Sequence, residues 1–458
     1  MGLAAVMLAL AAFGANSRTP LDEYVAKHDP AYKWDLVGPV TCDNCTAHVI
    51  DMKSQTWLDE KEVDRTLWQH WVTVIRPEKV ASTTAFLFIS GGGNGGKPPE
   101  RAEAMLSMVA RESGAVVVEL RMVPNQPLKF LSDPAAKSRV EDSLIAYGWD
   151  KFLRGGGPEW LARLPMTKSA VRAMDTATAF AKTDAGGGLT IDKYIVAGGS
   201  KRGWTTWTTA AVDKRVVAIA PSVIDMLNVV PSFEHHWRVY GFWAPAIKDY
   251  EQMKIMDWSG TPRYKEMMKI VEPYEYRDRL AMPKLLLNAS GDQFFLPDSS
   301  QFYFKDLKGE KYLRYIPNTD HSMRNSDAVQ SIISWVQSVI GGAPRPRFSW
   351  KMEKDGSIRL QAKDAPKEVK LWQASNEKAR DFRLMTIGAA WKATAVEAAG
   401  GVYVGKVDKP AQGFTAYFLE VTYSGPGKFP LKFTTDVRVV PDVYPHGPYQ
   451  PDHSHLPK

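Results

Sequence analysis

Apolar and polar residues alternate along "TAHVIDMKSQTW" and "QHWVTVIRP", the pattern of antiparallel strands with one half-exposed face. Further on, the alternation stops. "TTAFLFIS" (83–90), "GAVVVELR" (114–121), "DKYIVAG" and "RVVAIAPSV" are unbroken apolar runs rich in β-branched residues, as strands covered on both faces are. Helical periodicity separates them, near 100–113, at 138–154, at 168–184 and in "GWTTWTTAAV". "KLLLNAS" (284–290) and "KYLRYIP" (311–317) continue the series, with a last helix expected over 325–340. Such alternation predicts an α/β fold: a doubly wound, mostly parallel sheet with helices on both faces.

Two stretches depart from that pattern. Residues 223–282 are rich in Trp, Tyr, Met and His and read as helices, where an α/β unit needs only a short connection. They are expected to form a helical lid inserted into a domain spanning residues 20–342. After the linker "GGAPRPRFSW", short alternating strands ("SIRLQAK", "EVKLWQAS", "GVYVGKV", "TAYFLEVTY", "LKFTTDVRVV") predict an antiparallel β-sandwich over 346–440, of the immunoglobulin or fibronectin III kind. Residues 441–458 are expected to be a flexible Pro/His-rich tail. Its His446, His453 and His455 offer a metal-site alternative that is disfavoured against plain flexibility.

Bulk properties narrow the field. The chain has 458 residues, 44% of them hydrophobic and 24% charged, enough for a large buried core. A formal charge of +7 without a basic run interleaved with aromatics argues against a nucleic-acid partner. Residues 1–15 carry an apolar run too short to span a bilayer, followed by small residues. This predicts a signal peptide, and with it a periplasmic or secreted protein without stable membrane insertion; a buried N-terminal helix is the alternative. The only cysteines, Cys42 and Cys45, lack the further ligands of a zinc site, so a local disulfide is expected.

Candidate chemistry centres on "IVAGGSKRGWTTW" (195–207). A buried strand runs into two glycines, Ser200, two cations and Gly203, where a strand-to-helix elbow would expose a nucleophilic hydroxyl. The usual G-x-S-x-G string has its second glycine one place early relative to this chain, so Arg202 must fit where a small residue is common. An oxyanion hole would combine the Lys201 N–H with amides of Gly91, Gly92 and Gly93 in "SGGGNGG". That loop lacks the G-K-[ST] ending of a phosphate cradle. Asp292, just past its strand in "NASGDQFF", is favoured as the acid over Asp298, which could instead cap the helix that follows. His321 in "IPNTDHSM" is the base, giving the chain order Ser…Asp…His. Asp320 beside it reads as a local cap. His235 and His236 are adjacent, so their side chains diverge, and no metal is expected. Trp204 and Trp207 read as core beneath the elbow; Trp237, Tyr240 and Trp243 could line a pocket or fill the lid's own core.

The segments "LDEYVAKHDPAYKWDL", "PNQPLKF", "EDSLIAYGWDKFL", "WLARLPMTKSAVRAMD", "GGSKRGWTTW", "LLLNASGDQFFLPDSS" and "IPNTDHSM" together resemble the PhoPQ-activated pathogenicity-related protein family, from about residue 21 into the C-terminal strands. The resemblance implies an α/β-hydrolase domain in an exported bacterial protein with a possible link to virulence, and no particular substrate. The elbow is also similar to that of glucuronoyl esterases, with Lys201 in place of an arginine. The expected function is a serine hydrolase that cleaves an ester or amide through an acyl-enzyme and needs no cofactor. Its substrate would be a small molecule, a carbohydrate ester or a short peptide. The alternatives are a peptidase, or a binding or signalling protein on a hydrolase scaffold.

Overall fold

A computed structural model describes residues 18–457; the expected signal peptide at 1–15 lies outside them. After α1 (Pro20–Ala26), strands β1 (Lys33–Val40), β2 (Cys45–Thr56) and β3 (Leu67–Pro77) form an antiparallel meander. Cys42 and Cys45 at its start are joined by a disulfide. There follow β4 (Thr84–Ile89), α2 (Ala104–Ser113), β5 (Val117–Leu120), α3 (Glu141–Leu153) and α4 (Arg163–Ala181). Next come β6 (Lys193–Gly199), α5 (Lys201–Val212) and β7 (Val216–Ser222). Then, beyond the insertion, lie β8 (Lys284–Ala289), β9 (Lys311–Ile316) and α9 (Ala328–Ile340). The insertion holds α6 (Val229–Tyr240), α7 (Lys248–Gln252) and α8 (Pro262–Val271).

In space the strands run β1-β2-β3-β5-β4-β6-β7-β8-β9. From β5 to β9 every neighbouring pair is parallel. The apolar runs explain this placement: Phe86, Leu87, Val117, Val118, Ile195, Val196, Leu285 and Leu287 are all buried, because helices cover both faces. A parallel sheet carrying a serine elbow after β6 is the α/β-hydrolase fold. All six parallel strands therefore end on one rim, and ligands of such sheets bind beyond that rim.

The C-terminal strands are β10 (Phe348–Met352), β11 (Ile358–Ala362), β12 (Glu368–Asn376), β13 (Lys392–Ala395), β14 (Val402–Gly405), β15 (Phe414–Tyr423), β16 (Leu431–Thr434) and β17 (Arg438–Val440). They are antiparallel, as expected, but they do not stand apart. The larger set, β16-β15-β12-β13 with β17 beside β15, extends the central sheet through an antiparallel contact of Leu313 in β9 with Thr434 in β16. The second layer, β10-β11-β14, is a separate three-stranded sheet. One edge of the hydrolase sheet is thus covered by pairing rather than left open.

Arg314 of β9 locks this seam. It is 1% exposed and donates to Glu420 of β15, itself buried, and to both carboxylate oxygens of Asp327 at 2.8 and 2.9 Å. Arg314→Met strands the buried Glu420 carboxylate, so the expected loss is about 3–5 kcal/mol of unfolding free energy. Denaturant titration measures it. Adding Glu420→Met should recover most of the loss, and a double mutant as unstable as the single would contradict the pairing.

The tail is a correction to expectation. Residues 441–457 form no strand, yet they dock on the insertion. Tyr449 packs against Trp237 and Trp243 at ring distances of 4.8 and 5.0 Å and donates to Asp257 at 2.5 Å. His446 N–H donates to the Arg238 carbonyl at 3.0 Å. Apolar contact and satisfied backbone groups hold a segment that composition alone marks as loose.

Candidate active site

Ser200 stands between β6 and α5 with φ 59° and ψ −126°, a conformation that is costly for a residue with a Cβ. Close packing imposes it. The Ser200 N–H donates to the Ser222 carbonyl at the end of β7, at 2.8 Å. A Cβ on Gly203 would come within 2.9 Å of Ile224 and of the Ser222 carbonyl, so helix α5 can lie this close to the sheet only with glycine there. Lys201 opens α5, and its N–H therefore has no acceptor one helical turn back.

Asp292 follows β8 by three residues, and His321 follows β9 by five. The two are bonded: His321 Nδ1 and Asp292 Oδ2 are 2.7 Å apart, with Asp292 4% exposed. The other Asp292 oxygen accepts the Phe294 N–H at 2.7 Å. This fixes the carboxylate in place against Nδ1. Phe294 and Phe295 pack on the imidazole, at centroid distances of 4.3 and 5.9 Å.

The same two phenylalanines line a cavity with Ser200 and Lys201. Its other walls are Asp142, Trp149, Arg163, Trp204, Ile224 and Met226, and a roof of Phe233, Ile247 and Tyr250 from the insertion. The free volume is about 30 Å³, the share of one water molecule and far below the ~300 Å³ of small ligand sites. A much larger groove, about 1120 Å³, lies at the seam of the C-terminal strands, lined by Phe304, Trp350 and Asp436. It contains neither Ser200 nor His321, and size alone does not make it the reactive site.

The glycine loop after β4 stands differently from expectation. Gly91, Gly92 and Gly93 are not among the residues lining the cavity. Arg202 lies against the first of them: a Cβ on Gly91 would meet its guanidinium at 2.6 Å. Arg202 donates to the Val123 carbonyl and to Glu141 Oε1, both at 2.6 Å. That answers how an arginine fits the elbow: Gly91 yields the space. Burial would raise the Glu141 carboxyl, but the Arg202 bond and the charges of Arg202 and Lys201 hold it down at about 2.

Asp298 is not bonded to His321. It sits at the start of a 3₁₀ turn without capping it, and pairs with His235 Nε2 at 2.9 Å and Arg380 at 2.7 Å. Both expected alternatives for it, triad acid and cap, are replaced by a buried clamp between the insertion, the β8 loop and the C-terminal strands. His236 instead accepts the Ala244 N–H at 3.0 Å, so the adjacent histidines do diverge. Asp320 accepts from Ser322, as a local cap does. Trp204 and Trp207 are both 1% exposed, and Trp204 also touches the cavity. Among the described residues, no cluster of three or more His, Cys, Asp and Glu could hold a metal ion.

Sequence reasoning missed several residues here. Arg163 and the Glu141–Asp142 pair were visible only as charges at the starts of apolar helices. Asp225, three residues past β7, accepts from Tyr303 and Tyr315, both at 2.6 Å. Burial pushes its carboxyl up to about 8 despite those two bonds, with the nearby Asp292 and Asp298 charges adding to the rise. The folded protein thus keeps a proton that the unfolded chain releases near pH 4. In that window the unfolded state binds fewer protons, so stability falls as pH rises from about 4 to 8. Asp225→Asn should flatten this slope, read as a smaller Tm difference between pH 5 and pH 8. An unchanged difference would contradict the assignment.

The autocrine proliferation repressor protein A of Dictyostelium discoideum is 38% identical over 472 residues, spanning 96% of this chain and 94% of that protein. Among solved structures, acetyl xylan esterase 1 from Thermoanaerobacterium sp. JW/SL YS485 aligns at 12% identity and a TM-score of 0.47, covering 70% of this chain and 93% of that one. The acylaminoacyl peptidase of Pyrococcus horikoshii aligns at 13% identity and a TM-score of 0.40, covering 68% and 49%. The family model described as PhoPQ-activated pathogenicity-related protein matches residues 21–383, and the chain belongs to that family.

Proposed function

We propose that the protein is a serine hydrolase acting through an acyl-enzyme. Ser200 Oγ attacks an ester or amide carbonyl, His321 Nε2 takes the hydroxyl proton, and Asp292 holds the imidazolium that forms. The Lys201 N–H, free at the start of α5, receives the oxyanion. His321 returns its proton to the leaving group, and water releases the acyl group by the reverse route. The observation that carries this reading is the shared wall: Phe294 and Phe295 line the cavity of the strained elbow serine and also pack on the Asp292-bound imidazole. The Cys42–Cys45 disulfide suits an exported protein, and among the described residues no helix is long and apolar enough to cross a membrane.

The test is acid-quenched intact mass after mixing with p-nitrophenyl acetate. One acetyl group on the wild type and none on Ser200→Ala is expected; no adduct on folded protein would overturn the reading. Relative kcat/KM over acyl esters and aminoacyl amides then separates esterase from peptidase. A second reading, a signalling protein on a hydrolase scaffold, is favoured by the name of the 38% identical relative, a repressor of proliferation. Full biological activity of Ser200→Ala would support it.

A further inference from the structure

Five charged side chains meet beside the Ser200 cavity. Lys201 Nζ lies 2.9 Å from Glu141 Oε2 and 3.0 Å from Asp142 Oδ2, and Arg202 takes the other Glu141 oxygen. Tyr250 donates to the remaining Asp142 oxygen at 3.1 Å. The ion pairs of Glu141 and Asp142 are with Lys201 and Arg202, and not with the third cation, Arg163. It is 3% exposed, lines the cavity, and among the described residues forms no ion pair. Its Nη1 donates to the Lys201 carbonyl at 2.9 Å, while its Nε has no hydrogen-bond partner. Its guanidinium lies 4.4 Å from the Trp204 ring centroid, which fixes the plane of the fork.

Burying an unpaired cation costs several kcal/mol, and a structural role alone would be served by a neutral side chain stacked on Trp204. A guanidinium that lines a cavity with donor capacity unused is suited to a carboxylate. The Lys201 carbonyl that it holds belongs to the residue next to Ser200, so an anion on Arg163 would sit close to the reacting hydroxyl. We propose that Arg163 is a specificity-determining residue that receives a carboxylate of the substrate. The preferred substrates are then esters or amides bearing a carboxylate a few atoms from the scissile carbonyl. This rests on the reading of Ser200 as nucleophile.

Binding and chemistry test it separately. In the Ser200→Ala protein, which cannot turn substrate over, calorimetry compares monomethyl succinate, an anion, with neutral dimethyl succinate. The monoanion should bind at least about tenfold more tightly, the strength of a charge-assisted bond. Arg163→Met should lose that preference, and Arg163→Lys should keep part of it. Equal binding of the two ligands, no binding of the monoanion, or a preference that survives in folded Arg163→Met would each overturn the proposal. Fluorophosphonate labelling of the wild type reports on Ser200 independently. Labelling without anion preference sinks the role of Arg163 alone; anion preference without labelling sinks the nucleophile and leaves the anion site standing.

Discussion

Ser200→Ala is expected to lower kcat/KM by about six orders of magnitude on any ester the wild type hydrolyses. The hydroxyl is the only part of the reacting unit that forms a bond to substrate, so no neighbour can substitute for it. The backbone at that position, φ 59° and ψ −126°, is strained for alanine as it is for serine, and the 2.8 Å bond of residue 200's N–H to Ser222 does not involve the side chain. The variant should therefore fold with a Tm close to that of the wild type. A steady-state assay with a chromogenic ester, normalised to folded protein, reads the effect. A drop of less than about a hundredfold would mean that hydrolysis proceeds elsewhere or through directly activated water.

The second large effect is expected at Asp292, with Asp298 as its control. Asp292→Asn keeps the shape but offers an amide N–H to His321 or forces the ring into the other tautomer, and kcat should fall by about 10⁴. Asp298→Asn should instead weaken the buried clamp with His235 and Arg380. It lowers Tm while leaving kcat per folded molecule within a few fold. The two aspartates are six residues apart and both buried, so burial cannot distinguish them; their partners do. If Asp298→Asn gave the larger fall in kcat at intact fold, the acid would be misassigned.

What the sequence revealed follows from how local each signal is. The runs around Leu87, Val118 and Val196 announce buried parallel strands because covering both faces leaves no polar alternate position. Gly198 and Gly203 announce the elbow because a Cβ at either would collide where helix and strand touch. The joining of the C-terminal strands to the sheet was invisible, since the pairing of Leu313 with Thr434 links segments with no shared periodicity. Tyr449 in a proline-rich tail gave no hint of its partners, because Trp237 and Trp243 lie two hundred residues away in the chain. Arg163 was hidden for a different reason: a cation at the start of an apolar helix usually reaches solvent. Only the packing of Trp204 and the roof of the insertion show that this one does not.

Ser200, Asp292 and His321 are held to act as one nucleophilic unit at the rim of the sheet. Peptide mapping after fluorophosphonate treatment tests this most directly. The account predicts a single adduct on the Ser200 peptide of the wild type, lost in His321→Ala. Folded wild-type protein that carries no adduct, or carries it on another residue, would contradict it.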